Sequence, residues 1–249
     1  MPAVTLVLPF YRNVGMLQRQ LAEFEHYPPD GVRLIVVDDG SPEPARDVVL
    51  RYASPDLRAR LHLYRITVDI PWNREGARNL GATKADTDWV VHVDIDHVLP
   101  APAAARLVEY DPSPDFWYRF ARYRNGAADE TRQKDPLPTD AAFGAVKPHI
   151  DSYLITRDMY WDVGGYDEDF AGVLGGGTDF LKRLERRYGA PLMLPRDVVL
   201  HVYTRHVIPD ASDRWLSRSK ERGKQIQQRK GGTLKKPDRP LRFPWVREL

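Results

Sequence analysis

Two aspartates and a histidine follow an apolar run in the middle of the chain. The run is Trp89-Val90-Val91-His92-Val93, and it leads directly into Asp94-Ile95-Asp96-His97. On an extended backbone Asp94 and Asp96 leave the same face, about 7 Å apart along the strand. Because unpaired buried carboxylates are costly, such a cluster suits a hard divalent cation, alone or with a sugar hydroxyl. The alternative is an acidic polar turn after a strand.

The order of apolar segments predicts how these carboxylates are positioned. Four strand-like runs alternate with helical patterns over residues 4–110, which implies parallel βαβ units with right-handed crossovers. The runs are residues 4–8, 32–37, 61–66 and 89–93. Ligands bind beyond the carboxyl ends of the strands in such sheets. Pro9-Phe10-Tyr11, Asp38-Asp39 and Asp94-Ile95-Asp96 all fall at such ends.

The second half of the chain is less regular. Phe116–Tyr123 alternates like a strand, and residues 124–148 are predicted as a long mobile loop because they lack periodicity. Helices are predicted over Ile155–Val163 and Phe180–Tyr188, and a final strand over Val198–Val202.

These patterns predict one large domain with a C-terminal extension. The domain covers residues 1–204, with a nucleotide-binding half at 1–98 and an acceptor-binding half at 99–204. The extension covers residues 205–249. Residues 214–229 read as a polar helix within it, and the prolines beyond keep the last residues extended.

Composition limits the classes of protein. The 249 residues include no cysteine, which excludes disulfides, thiol catalysis and Cys-ligated zinc and fits a reducing cytoplasm. No apolar window approaches about 18 residues and no leader pattern is present, so we expect a cytoplasmic protein, at most peripheral to a membrane.

The net charge of +2 conceals an asymmetry. Residues 214–249 carry 12 Lys/Arg and 3 Asp/Glu, a net of +9, which leaves −7 for the rest of the chain. A basic tail of this kind suits nucleic acid, anionic lipid or a phosphorylated substrate. A solvated helix lying on the acidic body is the alternative.

Five short motifs follow one another over roughly residues 3–202. The motifs are Val4-Thr5-Leu6-Val7-Leu8-Pro9-Phe10-Tyr11-Arg12-Asn13, Leu34-Ile35-Val36-Val37-Asp38-Asp39-Gly40-Ser41, Arg74-Glu75-Gly76-Ala77-Arg78-Asn79-Leu80-Gly81, Asp94-Ile95-Asp96 and Gly164-Gly165-Tyr166-Asp167-Glu168-Asp169-Phe170. Each motif alone is weak, but in their order and separations they resemble the family 2 glycosyltransferases with the GT-A nucleotide-sugar fold.

The resemblance implies an α/β fold with a GT-A-type, Rossmann-like, mostly parallel central sheet flanked by helices, followed by a basic helical or extended tail. It also implies a site for a nucleotide-sugar donor, in which Asp39 accepts from the base and Asp94 reaches the ribose. Arginines suit a diphosphate because a guanidinium donates to several oxygens at once. The implied donor-binding residues are Pro9, Tyr11, Asp39, Arg74, Arg78 and Asp94.

A divalent cation is the implied cofactor. In the family the last aspartate of the motif, here Asp96, holds the metal, and a histidine on the strand after the catalytic helix, here His201, is the expected additional ligand. Imidazole together with carboxylate and phosphate oxygens favours Mn2+, with Mg2+ as the alternative. His97 is a candidate for a supporting or phosphate contact.

The resemblance also implies a general base for the acceptor hydroxyl, and Asp179 is the candidate. The family has a Glu-Asp pair ahead of an apolar helix, and its Asp is the general base in inverting members; here Thr178 replaces the Glu. An ordinary helix N-cap is the alternative for Asp179. Candidate acceptor contacts are Trp161, Tyr166, Asp167 and Glu168, with core packing or a solvated turn as their alternatives.

The function implied is a metal-dependent inverting glycosyltransferase that moves a sugar from a nucleoside diphosphate sugar, by default a UDP-sugar, to an acceptor hydroxyl. The basic tail suggests an anionic acceptor such as a polysaccharide, a lipid-linked sugar or a modified nucleic acid. A nucleotidyltransferase on a related fold is disfavoured, because residues 9–15 lack a lysine and carry only Gly15. A non-catalytic nucleotide-sugar-binding protein is the other alternative, since Thr178 departs from the family pattern.

Overall fold

A computed structural model of the protein describes residues 4–70, 72–125, 143–203, 213–230 and 241–249. These residues form two β-sheets with helices packed around them. The strands are β1 (Val4–Phe10), β2 (Val32–Asp38), β3 (Leu61–Ile66), β4 (Trp89–His92), β5 (His97–Val98), β6 (Tyr118–Arg119), β7 (Ala121–Asn125), β8 (Phe143–Val146), β9 (Tyr153–Thr156), β10 (Leu192–Met193), β11 (Val199–Val202) and β12 (Trp245–Arg247).

The helices connect and cover these strands. They are α1 (Val14–Phe24), α2 (Ala45–Tyr52), α3 (Pro55–Arg60), α4 (Arg74–Lys84), α5 (Ala101–Glu109), α6 (Arg157–Asp162), α7 (Gly176–Tyr188) and α8 (Asp213–Arg229), with a short 3-10 turn over Glu168–Phe170. Among the described residues, no helix combines the length and the apolarity needed to cross a membrane.

The larger sheet has the strand order β10-β6-β9-β4-β1-β2-β3-β12. The four strands predicted from the first half pair in parallel, with β1 between β4 and β2. Every residue of β1 is buried, as expected of a strand covered on both faces. The predicted Rossmann-like, mostly parallel sheet flanked by helices is therefore confirmed.

The smaller sheet has the order β5-β11-β7-β8. β11 pairs antiparallel with β5 and parallel with β7, and β7 pairs antiparallel with β8. In this sheet His97, which ends the acidic motif, lies opposite Val202.

Two predictions in the second half need correction. Ile155–Val163 is not one helix: residues 153–156 form β9 against β4, and Thr156 then caps α6 by accepting from the amide of Met159 at 3.1 Å. A short apolar run fits either element by periodicity, and pairing with β4 decides for a strand. The strand expected over Phe116–Tyr123 divides into β6 and β7, which belong to different sheets.

The predicted loop over 124–148 begins and ends as paired strand. Asn125 pairs with Phe143 in the β7–β8 ladder, so the ends of the segment are ordered as an antiparallel pair. Residues 126–142, the centre of that prediction, lie outside the described residues.

The C-terminal segment pairs with the larger sheet. β12 pairs antiparallel with β3 and extends the larger sheet, while Trp245 packs edge-on against Tyr64 at a centroid distance of 5.9 Å. The carboxylate of Glu168 accepts from the backbone amides of Leu241 at 2.7 Å and Arg242 at 2.9 Å. The last residues are thus held by main-chain pairing and by one buried carboxylate.

Two cations of the tail, Lys230 and Arg242, meet acids of the rest of the chain. Lys230 contacts Asp167 and lies 3.0 Å from Asp169, and Arg242 lies 2.6 Å from the same Asp169. The alternative of a basic segment lying on an acidic body therefore holds for these residues. The remaining cations of residues 231–240 fall outside the described part of the chain.

Replacement of Glu168 by Ala tests how firmly the tail is attached. The change leaves the amides of Leu241 and Arg242 and the side chain of Asn79 without this acceptor, and we expect the free energy of unfolding to fall by about 3 kcal/mol. Urea denaturation measures it. Glu109→Ala, at an exposed position, is the control and should change stability by less than about 0.5 kcal/mol.

Candidate functional site

The two aspartates at the end of β2 have different environments. Asp38 accepts from the amides of Gly40, Ser41 and Ala45 at 2.7–3.1 Å and from Arg65 at 2.8 Å. These contacts hold the turn, and Gly40 adopts φ 89, where a side chain would be strained. Asp38 is therefore the structural aspartate of the pair.

Asp39 is also buried, but in the part of the chain that the structure describes one of its carboxylate oxygens makes no hydrogen bond of the kind that Asp38 makes. Its Oδ1 has no hydrogen-bond partner among the described residues. Burial raises the pKa of Asp39 well above its usual range, and the charges of Asp38, Asp69 and Glu75 raise it further. A buried carboxyl with an open oxygen at a strand end can accept a polar N–H from a ligand.

Pro9 and Tyr11 lie at the neighbouring strand end. Pro9 is a buried residue within β1, opposite Val37. Tyr11 follows the strand and donates to Asp69 at 3.0 Å, and burial together with Asp69 raises the pKa of Tyr11 to about 12. Tyr11 thus lies on the side of the cleft where Asp39 follows β2.

Helix α4 supplies two arginines to the cleft. Asn73 caps it, as predicted, by accepting from the amide of Gly76 at 3.1 Å. Arg74 and Arg78, one turn apart, both reach Asp151, at 3.0 Å and 3.5 Å respectively. Arg74 also lies over the ring of Trp72 at 4.2 Å, and Arg78 over the ring of Tyr166 at 5.1 Å.

Asp94 and Asp151 are brought together by strand register. β4 and β9 are antiparallel with His92 opposite Tyr153, so the same register continued by two residues sets Asp94 across from Asp151. Arg78 contacts both carboxylates and is fully buried. Burial alone would raise the pKa of Asp94 and Asp151, but Arg78 outweighs it, so both pKa values are lowered.

A group able to hold a cation lies beside this ion-pair cluster. Ligand atoms of Asp94, His97 and His149 lie within 4.8 Å of one another, and the Nδ1 of His149 is 3.3 Å from Asp94 Oδ2. Imidazole and carboxylate donors of this kind suit Mn2+. The residues present therefore fit a divalent cation.

Arg122 constrains the role of His97. Its guanidinium lies 2.5 Å from His97 Nε2, and because a guanidinium only donates, neutral His97 carries its proton on Nδ1, 3.2 Å from Asp96 Oδ1. For His97 to bind a cation, either Nδ1 has to lose its proton or Nε2 has to lose its contact with Arg122. Asp94 and Asp96 need no such change, so the supporting contact predicted for His97 matches this geometry.

His201 lies on β11, the strand that pairs with β5 after the acidic motif. Cross-strand partners share a face of a sheet, and His97 pairs with Val202 whereas His201 pairs with Val98. The side chain of His201 therefore lies on the opposite face from His97, and Glu23 is among its charged neighbours. The role of His201 as a metal ligand stays a prediction, and His149, on the segment before β9, is a further histidine beside the acidic motif.

Asp179 lies in the first turn of α7, as the sequence predicts. Its carboxylate accepts from Arg183 Nε at 3.0 Å, one turn further along the helix. Arg183 also donates to the backbone carbonyls of Val163 and Gly165, so it is held in place. Burial raises the pKa of Asp179 and Arg183 opposes that shift. The role of Asp179 as a base stays a prediction.

Two glycines at the start of α7 lie against carboxylates from other elements. A β-carbon on Gly176 would come within 2.3 Å of Glu75 Oε1, and one on Gly177 within 2.2 Å of Asp151 Oδ1. A side chain at either position would displace the carboxylate. The N-terminus of a helix, which favours negative charge, therefore meets Glu75 and Asp151 directly.

The four predicted acceptor contacts are occupied in other ways. Tyr166 is buried, stacks on Phe180 at 4.5 Å and donates to Asp151 at 3.0 Å, and Trp161 packs edge-on against Tyr160. The structure thus favours the core-packing alternative for this aromatic pair.

Asp167 and Glu168 both make structural contacts around the 3-10 turn and the C-terminal tail. Asp167 caps the 3-10 turn and contacts Lys230, while Glu168 binds the tail amides and accepts from Asn79 at 2.9 Å. Asn79 therefore ties α4 to the 166–168 segment, and its amide does not contact the acidic motif.

Three residues of this site were missed by sequence reasoning. Asp151, His149 and Glu75 meet Arg78, Asp94 and α7 only through the β4–β9 register and the packing of α7. Asp151 and His149 follow Lys147-Pro148 in a stretch without periodicity, which gave no signal. Glu75 stands inside the Arg-Glu-Gly-Ala-Arg-Asn motif and could have been named from it.

Asp151→Asn tests the ion-pair cluster. The change leaves Arg74 and Arg78 with less compensating charge, and we expect unfolding free energy to fall by about 3 kcal/mol at pH 7. Because the folded pKa of Asp151 is lowered, its contribution is present above about pH 4 and is lost as the pH falls through the folded pKa. The difference between the two proteins should therefore shrink in acid.

Chemical denaturation of the two proteins at pH 7 and at acidic pH measures this difference. Asp111→Asn, at an exposed position after α5, controls for the general effect of removing a carboxylate. A penalty for Asp151→Asn that grows as the pH is lowered would contradict the assignment.

Comparison with known proteins agrees with this geometry. A model of the family described as glycosyl transferase family 2 matches residues 5–174. Validoxylamine A glucosyltransferase from Streptomyces hygroscopicus subsp. limoneus is 27% identical over 233 residues, covering 79% of this chain and 50% of the relative. An uncharacterized glycosyltransferase from Haemophilus influenzae is 26% identical over 101 residues, or 40% of this chain and 38% of the relative.

Two solved structures share the fold. The mannosyltransferase PcManGT from Pyrobaculum calidifontis, in complex with GDP-Man and Mn2+, superposes with a TM-score of 0.60 at 19% identity, over 84% of this chain and 59% of that one. S. aureus TarS, residues 1–349, gives a TM-score of 0.58 at 15% identity, over 81% and 60% of the respective chains.

The chain spans about half the length of the validoxylamine A glucosyltransferase that it matches. The family match, by contrast, covers most of this chain and includes both strand-end aspartate motifs and α4. The chain belongs to glycosyl transferase family 2.

Proposed function

We propose that the protein is a metal-dependent inverting glycosyltransferase that moves a sugar from a nucleoside diphosphate sugar to an acceptor hydroxyl. The observation that carries this proposal is the convergence of three kinds of group at one end of the larger sheet. These are the open carboxylate oxygen of Asp39, the guanidinium groups of Arg74 and Arg78, and the cation-binding group at Asp94. They match the base, the diphosphate and the metal of such a donor.

Asp39 is the proposed base contact. Its neighbour Asp38 is committed to the turn and to Arg65, so Asp39 is the carboxylate able to accept the imide N–H of uracil. A guanine base also presents an N–H, so UDP is the default donor and GDP the alternative. The solved mannosyltransferase that shares the fold binds GDP-Man, which supports testing both.

Arg74 and Arg78 are the proposed diphosphate contacts. In this structure both neutralise Asp151, and Arg78 also neutralises Asp94. A diphosphate entering the cleft would offer further oxygens to the same donors, which a planar guanidinium can share between partners. Asp94 and His149 would hold Mn2+ or Mg2+, with Asp96 and His97 beside them. When bound, such a cation offsets the negative charge that develops on the departing diphosphate.

The reaction proposed is a single in-line displacement. The acceptor hydroxyl loses its proton to a carboxylate, its oxygen attacks the anomeric carbon, and the bond to the diphosphate breaks with its electron pair. Asp179, in the first turn of α7, is the carboxylate predicted as this base from the sequence, but Arg183 holds one of its oxygens.

The acceptor in this proposal is a compound with a hydroxyl group, and the basic C-terminal tail does not identify its chemical class. Two of the tail cations that the structure describes, Lys230 and Arg242, neutralise Asp167 and Asp169. Others on α8, such as Arg222 and Lys224, are exposed, so an anionic polysaccharide or lipid-linked sugar stays among the acceptors to be tested. One relative is named validoxylamine A glucosyltransferase, and we include validoxylamine A among the candidate acceptors in the test.

A screen of donors tests the function. Thermal unfolding is followed with UDP-glucose, GDP-mannose and dTDP-glucose, each with and without Mn2+, and the products formed with candidate acceptors are identified by mass spectrometry. We expect one donor to raise the melting temperature only when Mn2+ is present, and the new product to gain one sugar. The absence of any shift and any product would contradict the proposal.

Variants of the two ends of the cleft refine this test. Asp94→Ala is expected to abolish the Mn2+-dependent shift, because it removes a cation ligand and a partner of Arg78. Asp39→Ala is expected to weaken donor binding about 10- to 100-fold while the shift caused by Mn2+ alone is kept, since Asp39 lies at the base end. Asp111→Asn is the control for both. Equal donor affinity in Asp39→Ala and wild type would remove Asp39 from the donor site.

A further inference from the structure

Glu75 is a buried carboxylate that the roles described so far do not use. It lies at the second position of α4, between Arg74 and the first turn of α7, and its side chain is closed from solvent. Oε1 lies 3.5 Å from Arg74 Nη2 and against Gly176. Oε2 is buried and has no hydrogen-bond partner within the described ranges. Such an oxygen is costly to retain, which points to a function.

The groups facing Glu75 come from four elements. α4 contributes Arg74 and Arg78, the segment before β9 contributes Asp151, and Asp39 lies beyond the end of β2. α7 contributes the backbone of Gly176. Burial raises the pKa of Glu75 to about 7, Arg74 and Arg78 lower it, and Asp151 raises it again. The carboxyl group therefore exchanges its proton near neutral pH, as a general base requires.

We propose that Glu75 is the catalytic base of the transfer reaction and takes the proton of the acceptor hydroxyl on Oε2. The proposal rests on the glycosyltransferase function proposed above. The O–H bond of the acceptor breaks and its proton passes to Oε2, while the acceptor oxygen bonds to the anomeric carbon. The bond from that carbon to the nucleoside diphosphate breaks, and its electron pair leaves with the diphosphate. Glu75 then returns the proton to solvent.

The glycine turn at residues 175–177 is the route by which an acceptor reaches Glu75. Gly175 has φ 122, a conformation that side chains rarely adopt, and Gly176 leaves no side chain between Oε1 and the helix. All three glycines lie close to other side chains, Gly175 to Phe170, Gly176 to Glu75 and Gly177 to Asp151, so the turn has to move before an acceptor reaches Glu75. Asp179 differs, because its charged neighbours are Arg183, Asp167 and Lys230, and Arg183 holds it.

The test measures donor turnover against pH. The probes are UDP-glucose and GDP-mannose with Mn2+, water serves as the acceptor, and release of the nucleoside diphosphate is followed from pH 5.5 to 8.5. We expect the kcat of the wild type to rise with pH at the acidic end of this range, and this rise is the acid limb of the profile. Glu75→Gln should lower kcat at least about 100-fold and remove that limb, while the KM for the donor changes less than about 3-fold.

Three further variants make the outcome specific. Glu109→Gln makes the same chemical change at an exposed site and should match the wild type. Asp179→Asn should keep the acid limb. Gly176→Ala places a β-carbon within 2.3 Å of Glu75 Oε1 and displaces it, so it should lower kcat with Glu75 still present. If Glu75→Gln fails to fold by circular dichroism, Gly176→Ala decides the test.

The proposal and the function beneath it fail in different ways. A Glu75→Gln protein that keeps kcat and the acid limb, or that loses only donor affinity, overturns the role of Glu75. So does loss of the limb in Asp179→Asn, or a Gly176→Ala protein with wild-type kcat. Failure of the wild type to bind or turn over either donor overturns the glycosyltransferase function, and the Glu75 assignment with it.

Discussion

The contact of Arg78 with Asp94 and Asp151 is the constraint on which the rest of the site depends. A fully buried guanidinium is stable only when its charge is matched, and removal of one partner leaves the other charge buried and uncompensated. The two partners come from β4 and from the segment before β9, and Arg78 comes from α4. This one side chain therefore joins the parallel half of the sheet to the antiparallel strands of the second half.

A series of contacts between charged or titratable side chains extends from Arg78 in two directions. Toward the smaller sheet, Asp94 meets His149, and Asp96 meets His97 and through it Arg122. Toward α7, Asp151 meets Arg74, and Arg74 meets Glu75. Opposite charges thus alternate from the cation-binding group to the glycine turn of α7. A change to one of these side chains therefore alters the charge balance of its neighbours in this series.

Much of the fold could be predicted from the sequence because the first half follows simple periodicity. β3 has the bounds predicted, and Asn73 caps α4 as expected. The distinction between Asp38 and Asp39 was also accessible, since a turn needs one carboxylate and leaves the other available. The family motifs placed Arg74, Arg78 and Asp94 in one cleft, and the structure brings those three together.

The remainder of the site could not be predicted because tertiary register decides it. Asp151 meets Asp94 through the β4–β9 pairing, and His201 faces away from His97 because adjacent residues of a strand alternate between faces. The basic tail was read as a binding surface from composition, yet Lys230 and Arg242 contact acids that lie far away in sequence. Net charge in a segment does not report which charges the folded chain neutralises.

Crystals of the protein grown with Mn2+ and GDP-mannose or UDP-glucose, and measured at the manganese absorption edge, would locate the cation. The geometry predicts an anomalous peak beside the carboxylate of Asp94 and the ring of His149, with Arg78 contacting the diphosphate. A nucleotide sugar bound in the cleft with the cation elsewhere, or with Arg78 turned away from the diphosphate, would contradict this arrangement.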